Sequence, residues 1–209
     1  MIACEPGPSE AAGPRLTVVS GPSGVGKSSV VAEVARRWPQ LLVSVSVTTR
    51  PPRVGQRPDE HYRYVDHATF TRMVARGEFL EYAEYAGNFY GTPAAPVRGA
   101  LAAGRSMLLE IEVQGARQVR AAMTGALLVM LVPPSWEALY ARLSDRGTED
   151  PTERERRLRV AREELNAVGE FDATIVNDDV QRAAQELIAL MVGTGSVHHR
   201  TGPSDIRPL

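Results

Sequence analysis

Short runs of consecutive apolar residues alternate along the chain with stretches whose apolar positions recur every three or four residues. That alternation is the pattern of a parallel sheet buried on both faces and crossed by helices. Leu16–Ser20 is the first predicted strand, and residues 107–112, Leu127–Val132 and Ala173–Val176 share its continuous apolar character. A helix is predicted over residues 28–38, with Val30, Val31, Val34 and Ala35 on one face and Pro39 ending it, since proline cannot continue the helical ladder. Further helices are expected over residues 135–146 and 180–192. The fold class that follows is α/β, a parallel sheet core flanked by helices.

Two stretches break the alternation. Residues 46–101 are rich in Arg, Tyr, Gly and Pro and contain the alternating segments 62–65 and 79–85, which suit a small mixed-strand insertion. Residues 147–162 become highly charged, and such a run is either a solvated helix face or part of an anion site. Residues 1–14 and 193–209 lack an apolar face and are expected to be flexible. The folded body is therefore 15–192, with a core of about 15–45, 102–141 and 163–192, an insertion of about 46–101, and a charged segment of about 142–162.

Composition narrows the function classes. The 209 residues, 43 % of them hydrophobic, suffice for one compact domain or a core with inserted subdomains. A net charge of −1 argues against a globally basic nucleic-acid binder, so any anion site must be local. No apolar run approaches the roughly 18 residues needed to span a bilayer, so a soluble, cytoplasmic protein without a membrane partner is expected. The single cysteine, Cys4, fits a reducing compartment. Adjacent His198 and His199 lie in the expected tail, without the partners of a metal site. Of the 24 basic residues, 23 are arginines and one is a lysine, Lys27.

That lysine sits in Gly21-Pro22-Ser23-Gly24-Val25-Gly26-Lys27-Ser28, which fits the phosphate-loop pattern G-x-x-x-x-G-K-[ST]. The motif follows an apolar strand and opens an amphipathic helix, so backbone N–H groups and the helix N-terminus converge on one anion. Gly21, Gly24 and Gly26 allow the tight wrap, Lys27 is expected on the outer phosphates of a nucleoside triphosphate, Ser28 supplies a hydroxyl for Mg²⁺, and Ser29 begins the helix. An ammonium is a compact point charge that fits beside the loop, where a planar guanidinium fork would collide. A GC-rich genome accounts for the scarcity of lysine but not for its placement.

An acceptor site is expected in the insertion. Arg50 and Arg53 flank a pair of prolines and suit bidentate binding of a phosphate, to which Tyr62 and Tyr90 can add hydroxyl donors. The stretches Gly21–Ser28, Ser46-Val-Thr-Thr-Arg50-Pro-Pro-Arg53-x-Gly55, 79–92 (Phe79-Leu-Glu81 through Tyr90-Gly-Thr92), Leu109-Glu110-Ile-Glu112-Val-Gln-Gly, Pro133-Pro-Ser, Arg146-Gly-Thr-Glu and Ile175-Val-Asn177-Asp178-Asp179 together resemble guanylate kinases over about 16–190.

The resemblance implies a nucleoside monophosphate kinase with a core, a mixed α+β GMP-binding insertion and a helical lid. It places Arg50, Arg53, Tyr62 and Tyr90 on the GMP phosphate, and Ser46, Glu81, Thr92 and Glu110 around the guanine. Lid arginines Arg142, Arg146 and Arg157 are implied over the donor phosphates, with Lys27, Arg50, Arg146 and Arg157 the catalytic cations. Asn177 and Asp178 are implied near the adenine of ATP, and Mg²⁺ on Ser28, with Glu110 and Glu112 acting through water. The implied reaction is ATP + GMP (or dGMP) giving ADP + GDP, by a monomer or homodimer. The chemistry of guanine agrees: its N1–H and 2-amino group are neighbouring donors that one carboxylate can accept, while adenine presents a lone pair at N1. Gln56 stands where the family usually has Glu, Glu112 where Asp is usual, and Tyr82 where Trp is common. Two other readings are a kinase of another phosphorylated acceptor such as a ribose bisphosphate, which would need no Glu81, and a non-catalytic phosphopeptide-binding scaffold, which would need no Lys27.

Overall fold

A computed structural model describes residues 13–52, 62–85, 87–144 and 151–194, the side chains of 151–154 excepted. Cys4, Arg53, Gln56, Arg146, His198 and His199 lie outside the described residues.

The chain runs β1 (Leu16–Ser20), α1 (Lys27–Arg37), β2 (Leu42–Val43), β3 (Ser46–Thr48), β4 (Tyr62–Tyr64), α2 (His67–Ala75), β5 (Phe79–Tyr85), β6 (Asn88–Pro93), α3 (Ala94–Ala102) and β7 (Met107–Glu110). It continues through α4 (Val113–Ala122), β8 (Leu127–Val132), α5 (Trp136–Ser144), α6 (Pro151–Asn166), a 3₁₀ turn at Val168–Glu170, β9 (Ala173–Val176) and α7 (Val180–Met191). The core sheet has the order β2-β7-β1-β8-β9, with every pairing parallel. Successive residues of each strand point to opposite faces, and both faces are covered. Val18, Leu109, Leu128 and Met130 pack with Val97 of α3 and Val119 of α4, while Val19, Leu108, Val129 and Leu131 pack with Val30 and Val34 of α1 and Leu187 of α7. Burial on both sides is why these strands read as unbroken apolar runs.

Register fixes the site. Val19 of β1 pairs with Glu110 of β7, so the loop leaving β1 emerges beside the residues that follow β7. The expected strand over 107–112 stops at Glu110, because Glu112, at φ −79° and ψ 165°, already caps α4. The α4 helix went unread in the sequence although Val113, Ala116 and Val119 line its buried face. Of the helix expected over 135–146, residues 136–144 are described and helical.

The insertion forms a second sheet of order β4-β3-β6-β5, mixed in sense, with β3–β4 parallel and β3–β6 and β5–β6 antiparallel. An aromatic cluster holds it: Phe70 of α2 stacks on Phe79 at 4.6 Å and on Phe89 at 5.4 Å between ring centroids. The α6 helix carries the charged run. Its Leu158, Ala161 and Leu165 pack with Leu139 and Leu143 of α5, which makes one face apolar despite the surrounding charge.

Candidate active site

The Gly21–Ser28 loop wraps between β1 and α1 with Gly24 at φ 85° and Gly26 at φ 97°, a left-handed backbone that side chains disfavour. A Cβ on Gly26 would also lie 2.6 Å from Asn177 Nδ2. The loop is braced from below through one carbonyl: Asn177 Nδ2 donates to Val25 O at 2.7 Å and Arg142 Nη1 donates to the same oxygen at 3.2 Å. Arg142 Nη2 also donates to Asn177 O at 3.0 Å. Asn177, 2 % exposed, thus sits beneath the loop, and Asp178 pairs with Arg182.

Lys27 begins α1. Its Nζ donates to Gly21 O at 2.5 Å and to Glu112 Oε2 at 3.1 Å. Burial pulls its pKa down, but Glu112, Glu164 and Glu110 outweigh that and the net shift is upward, so the ammonium stays charged. Next to it, Ser28 Oγ donates to Glu110 Oε1 at 2.6 Å. A hydroxyl and two carboxylates form a hard, all-oxygen donor set that suits Mg²⁺. Among the described residues no cluster of three His, Cys, Asp or Glu could hold a metal by itself.

The charged helix reaches this loop. Arg157 Nη2 donates to Ser23 Oγ at 2.9 Å. Seven residues on, Glu164 is 8 % exposed and lies beside the Glu112 carboxylate and the Lys27 ammonium. Burial, reinforced by the neighbouring Glu112 charge, pushes Glu164 up to about 8. Burial, and then the Glu112 charge, raise the pKa of Tyr85 of β5, which also faces this loop. Neither Glu164 nor Tyr85 was picked out from the sequence. The signal for Glu164 was the Leu158, Ala161, Leu165 stripe, which it flanks together with Arg157.

In the insertion, Ser46, Glu81 and Thr92 are buried on adjacent strands, 8 %, 5 % and 0 % exposed. Register pairs Glu81 with Thr92, whose hydroxyl donates to Glu81 Oε1 at 2.6 Å. Burial raises the Glu81 pKa, the Thr92 bonds oppose the rise, and Glu112 adds to it. Tyr62 and Tyr90 meet edge to face at 5.9 Å, and the Arg50 guanidinium lies 5.6 Å from the Tyr62 ring centre. Burial pushes the Tyr62 hydroxyl up to about 12, so it stays a proton donor at neutral pH. The structure therefore brings Lys27, Ser28, Glu110, Glu112 and Arg157 together at the phosphate loop, and Glu81 with Thr92 and Arg50 with Tyr62 in the insertion.

The guanylate kinase family model matches residues 13–193. A guanylate kinase of Thermobifida fusca is 59 % identical over 177 residues, covering 85 % of this chain and 90 % of that protein. One from Frankia casuarinae is 56 % identical over 179 residues, covering 86 % and 97 %. The crystal structure of guanylate kinase from Anaplasma phagocytophilum superposes with a TM-score of 0.73 at 30 % identity, covering 88 % of each chain. No described helix is long and apolar enough to cross a membrane.

Proposed function

The chain belongs to the guanylate kinase family, and from that premise we propose how its residues transfer the γ-phosphoryl group of ATP to GMP. The enzyme is an ATP:GMP phosphotransferase that releases ADP and GDP, with Mg-ATP as the phosphoryl donor.

Guanine enters against Glu81. One carboxylate oxygen is oriented by Thr92, and the group accepts the N1–H and 2-amino donors, while the Ser46 hydroxyl donates to O6 and Glu110 borders the base. Adenine in the same place would set its N1 lone pair against the carboxylate and leave buried groups unpaired. The GMP phosphate is held by Arg50, Arg53, Tyr62 and Tyr90, and dGMP is accepted because these groups address the base and phosphate rather than the 2′-hydroxyl. On the donor side the loop N–H groups of residues 21–29 cradle the ATP phosphates. Arg142 and Asn177 support this cradle through Val25 O, and Asp178 lies at the edge nearest the adenine.

Ser28, with Glu110 and Glu112 through water, would hold Mg²⁺, which when bound neutralises charge on the phosphates. An oxygen of the GMP phosphate forms a bond to the γ-phosphorus as the bond to the β–γ bridging oxygen breaks. The attacking oxygen is already anionic, so no strong base is needed and catalysis is positioning plus cationic stabilisation. Lys27, Arg50, Arg146 and Arg157 supply the cations. The segment 142–162 is the lid, whose closure excludes water that would otherwise hydrolyse ATP.

The observation that carries this reading is the buried Glu81–Thr92 pair in a chain that also presents Lys27 on an intact phosphate loop. Glu81→Gln turns one acceptor oxygen into a donor facing the base. It is expected to lower kcat/KM for GMP about 10- to 100-fold, the cost of a lost charge-assisted hydrogen bond, with the KM for ATP little changed. Unchanged acceptor kinetics in a coupled ADP-release assay would show that Glu81 does not touch the base.

A further inference from the structure

Helix α4 faces the insertion strand β5 with two residues that the transfer chemistry does not use. Gly115 lies in its first turn. A Cβ there would stand 2.5 Å from Glu81 Oε2 and 3.0 Å from its carboxyl carbon, with Ile111 Cδ1 at 3.3 Å behind. The missing side chain is thus the space that the carboxylate fills. Gln118, three residues on and hence on the same helix face, grips the backbone beside Glu81: its Nε2 donates to Tyr82 O at 2.7 Å, and its Oε1 accepts from Tyr82 N at 3.1 Å. A side-chain amide paired with both the backbone N–H and the C=O of one residue fixes that strand residue in position and orientation.

We propose that Gly115 and Gln118 are specificity-positioning residues, which set where the Glu81 carboxylate meets the 2-amino group of the guanine ring. The proposal rests on the assignment of Glu81 to the base. Thr92 holds one carboxylate oxygen at 2.6 Å, the void over Gly115 receives the other, and the Gln118–Tyr82 pairing fixes the strand that carries both. Glu81 is the flexible member of the contact, so an added methyl is relieved by turning the carboxylate away rather than by unfolding α4. Alanine is also the better helix former, so loss of function separates from loss of stability. The ligand feature at stake is the exocyclic amine at C2. Inosine monophosphate keeps the N1–H and lacks that amine, so the preference for GMP over it reads the position of the carboxylate directly.

The test compares kcat/KM for GMP and for inosine monophosphate, KM for ATP, and thermal midpoint in wild type, Gly115→Ala, Gln118→Leu and Glu81→Gln. The GMP-to-inosine monophosphate ratio is expected to fall about tenfold or more in Gly115→Ala and Gln118→Leu, the scale of one buried hydrogen bond to a charged group. KM for ATP should stay within about twofold, and the midpoint of Gly115→Ala should not fall. A ratio within about twofold of wild type in either α4 variant overturns the assignment of that residue. If that happens while Glu81→Gln lowers the ratio, Glu81 reads the base without help from α4. If Glu81→Gln also leaves the ratio unchanged, the assignment of Glu81 itself fails, and the proposal with it.

Discussion

At Lys27 a rare residue and a crowded geometry coincide. The chain uses arginine at its 23 other basic positions, yet the loop holds an ammonium that is 9 % exposed and 2.5 Å from Gly21 O. A guanidinium has no room to make that contact and still present its fork to phosphate, so class-conserving replacement is not conservative here. Lys27→Arg should lower kcat about 100-fold or more, in line with the loss of one positioned transition-state donor, and shift the thermal midpoint little. Steady-state ADP release and a melting curve check this together, and near-wild-type turnover would remove the explanation of its placement. This residue was legible in the sequence because the motif spacing and the composition both singled it out. The resemblance names Asn177 as a neighbour of the adenine, but its contact was not legible: spacing cannot show that its amide props Val25 from below.

Helix α6 shows how charge hides a packed face. Seven of its first nine residues after Pro151 are polar or charged, and the run reads as solvated until Leu158, Ala161 and Leu165 are set against α5. That docking carries Arg157 to Ser23 and buries Glu164 beside Glu112 and Lys27. Glu164 is pushed from its ordinary 4.5 up to about 8, first by burial and then by Glu112. Between those values the folded chain binds more protons at this site than the unfolded chain. Its contribution is therefore complete below about 4.5 and is lost as pH rises through about 8. Glu164→Gln is neutral throughout, so its thermal midpoint in nucleotide-free buffer should gain on wild type as pH rises from 5 to 8. A midpoint difference independent of pH would place the carboxyl in water rather than against the loop. Helix α4 escaped the sequence reading for a different reason. It follows β7 after a gap of two residues, so its apolar positions merge with the run of the strand.

Over the whole molecule, the order β2-β7-β1-β8-β9 brings the carboxyl ends of β1 and β7 side by side, the position where open parallel sheets bind ligands. Four of the core strands were readable as apolar runs because burial on both faces leaves little choice of residue. The two-residue β2 and the pairing of β3 with β4 and β6 were not, since two residues are too few to show a period and alternation does not say which strands pair. The phosphate loop is local and was read whole. The proposed acceptor site draws Ser46, Glu81 and Thr92 from different strands, and without the family resemblance only their chemistry, not their adjacency, could be argued. In the proposed mechanism their adjacency would let a chain of net charge −1 choose its acceptor by hydrogen bonding while local cations handle the phosphates. The direct test is ADP release by the wild-type enzyme with ATP, Mg²⁺ and either GMP or AMP. Buried hydrogen-bond readout predicts a kcat/KM for GMP higher by roughly 10⁴-fold or more, and equal turnover with AMP would contradict it.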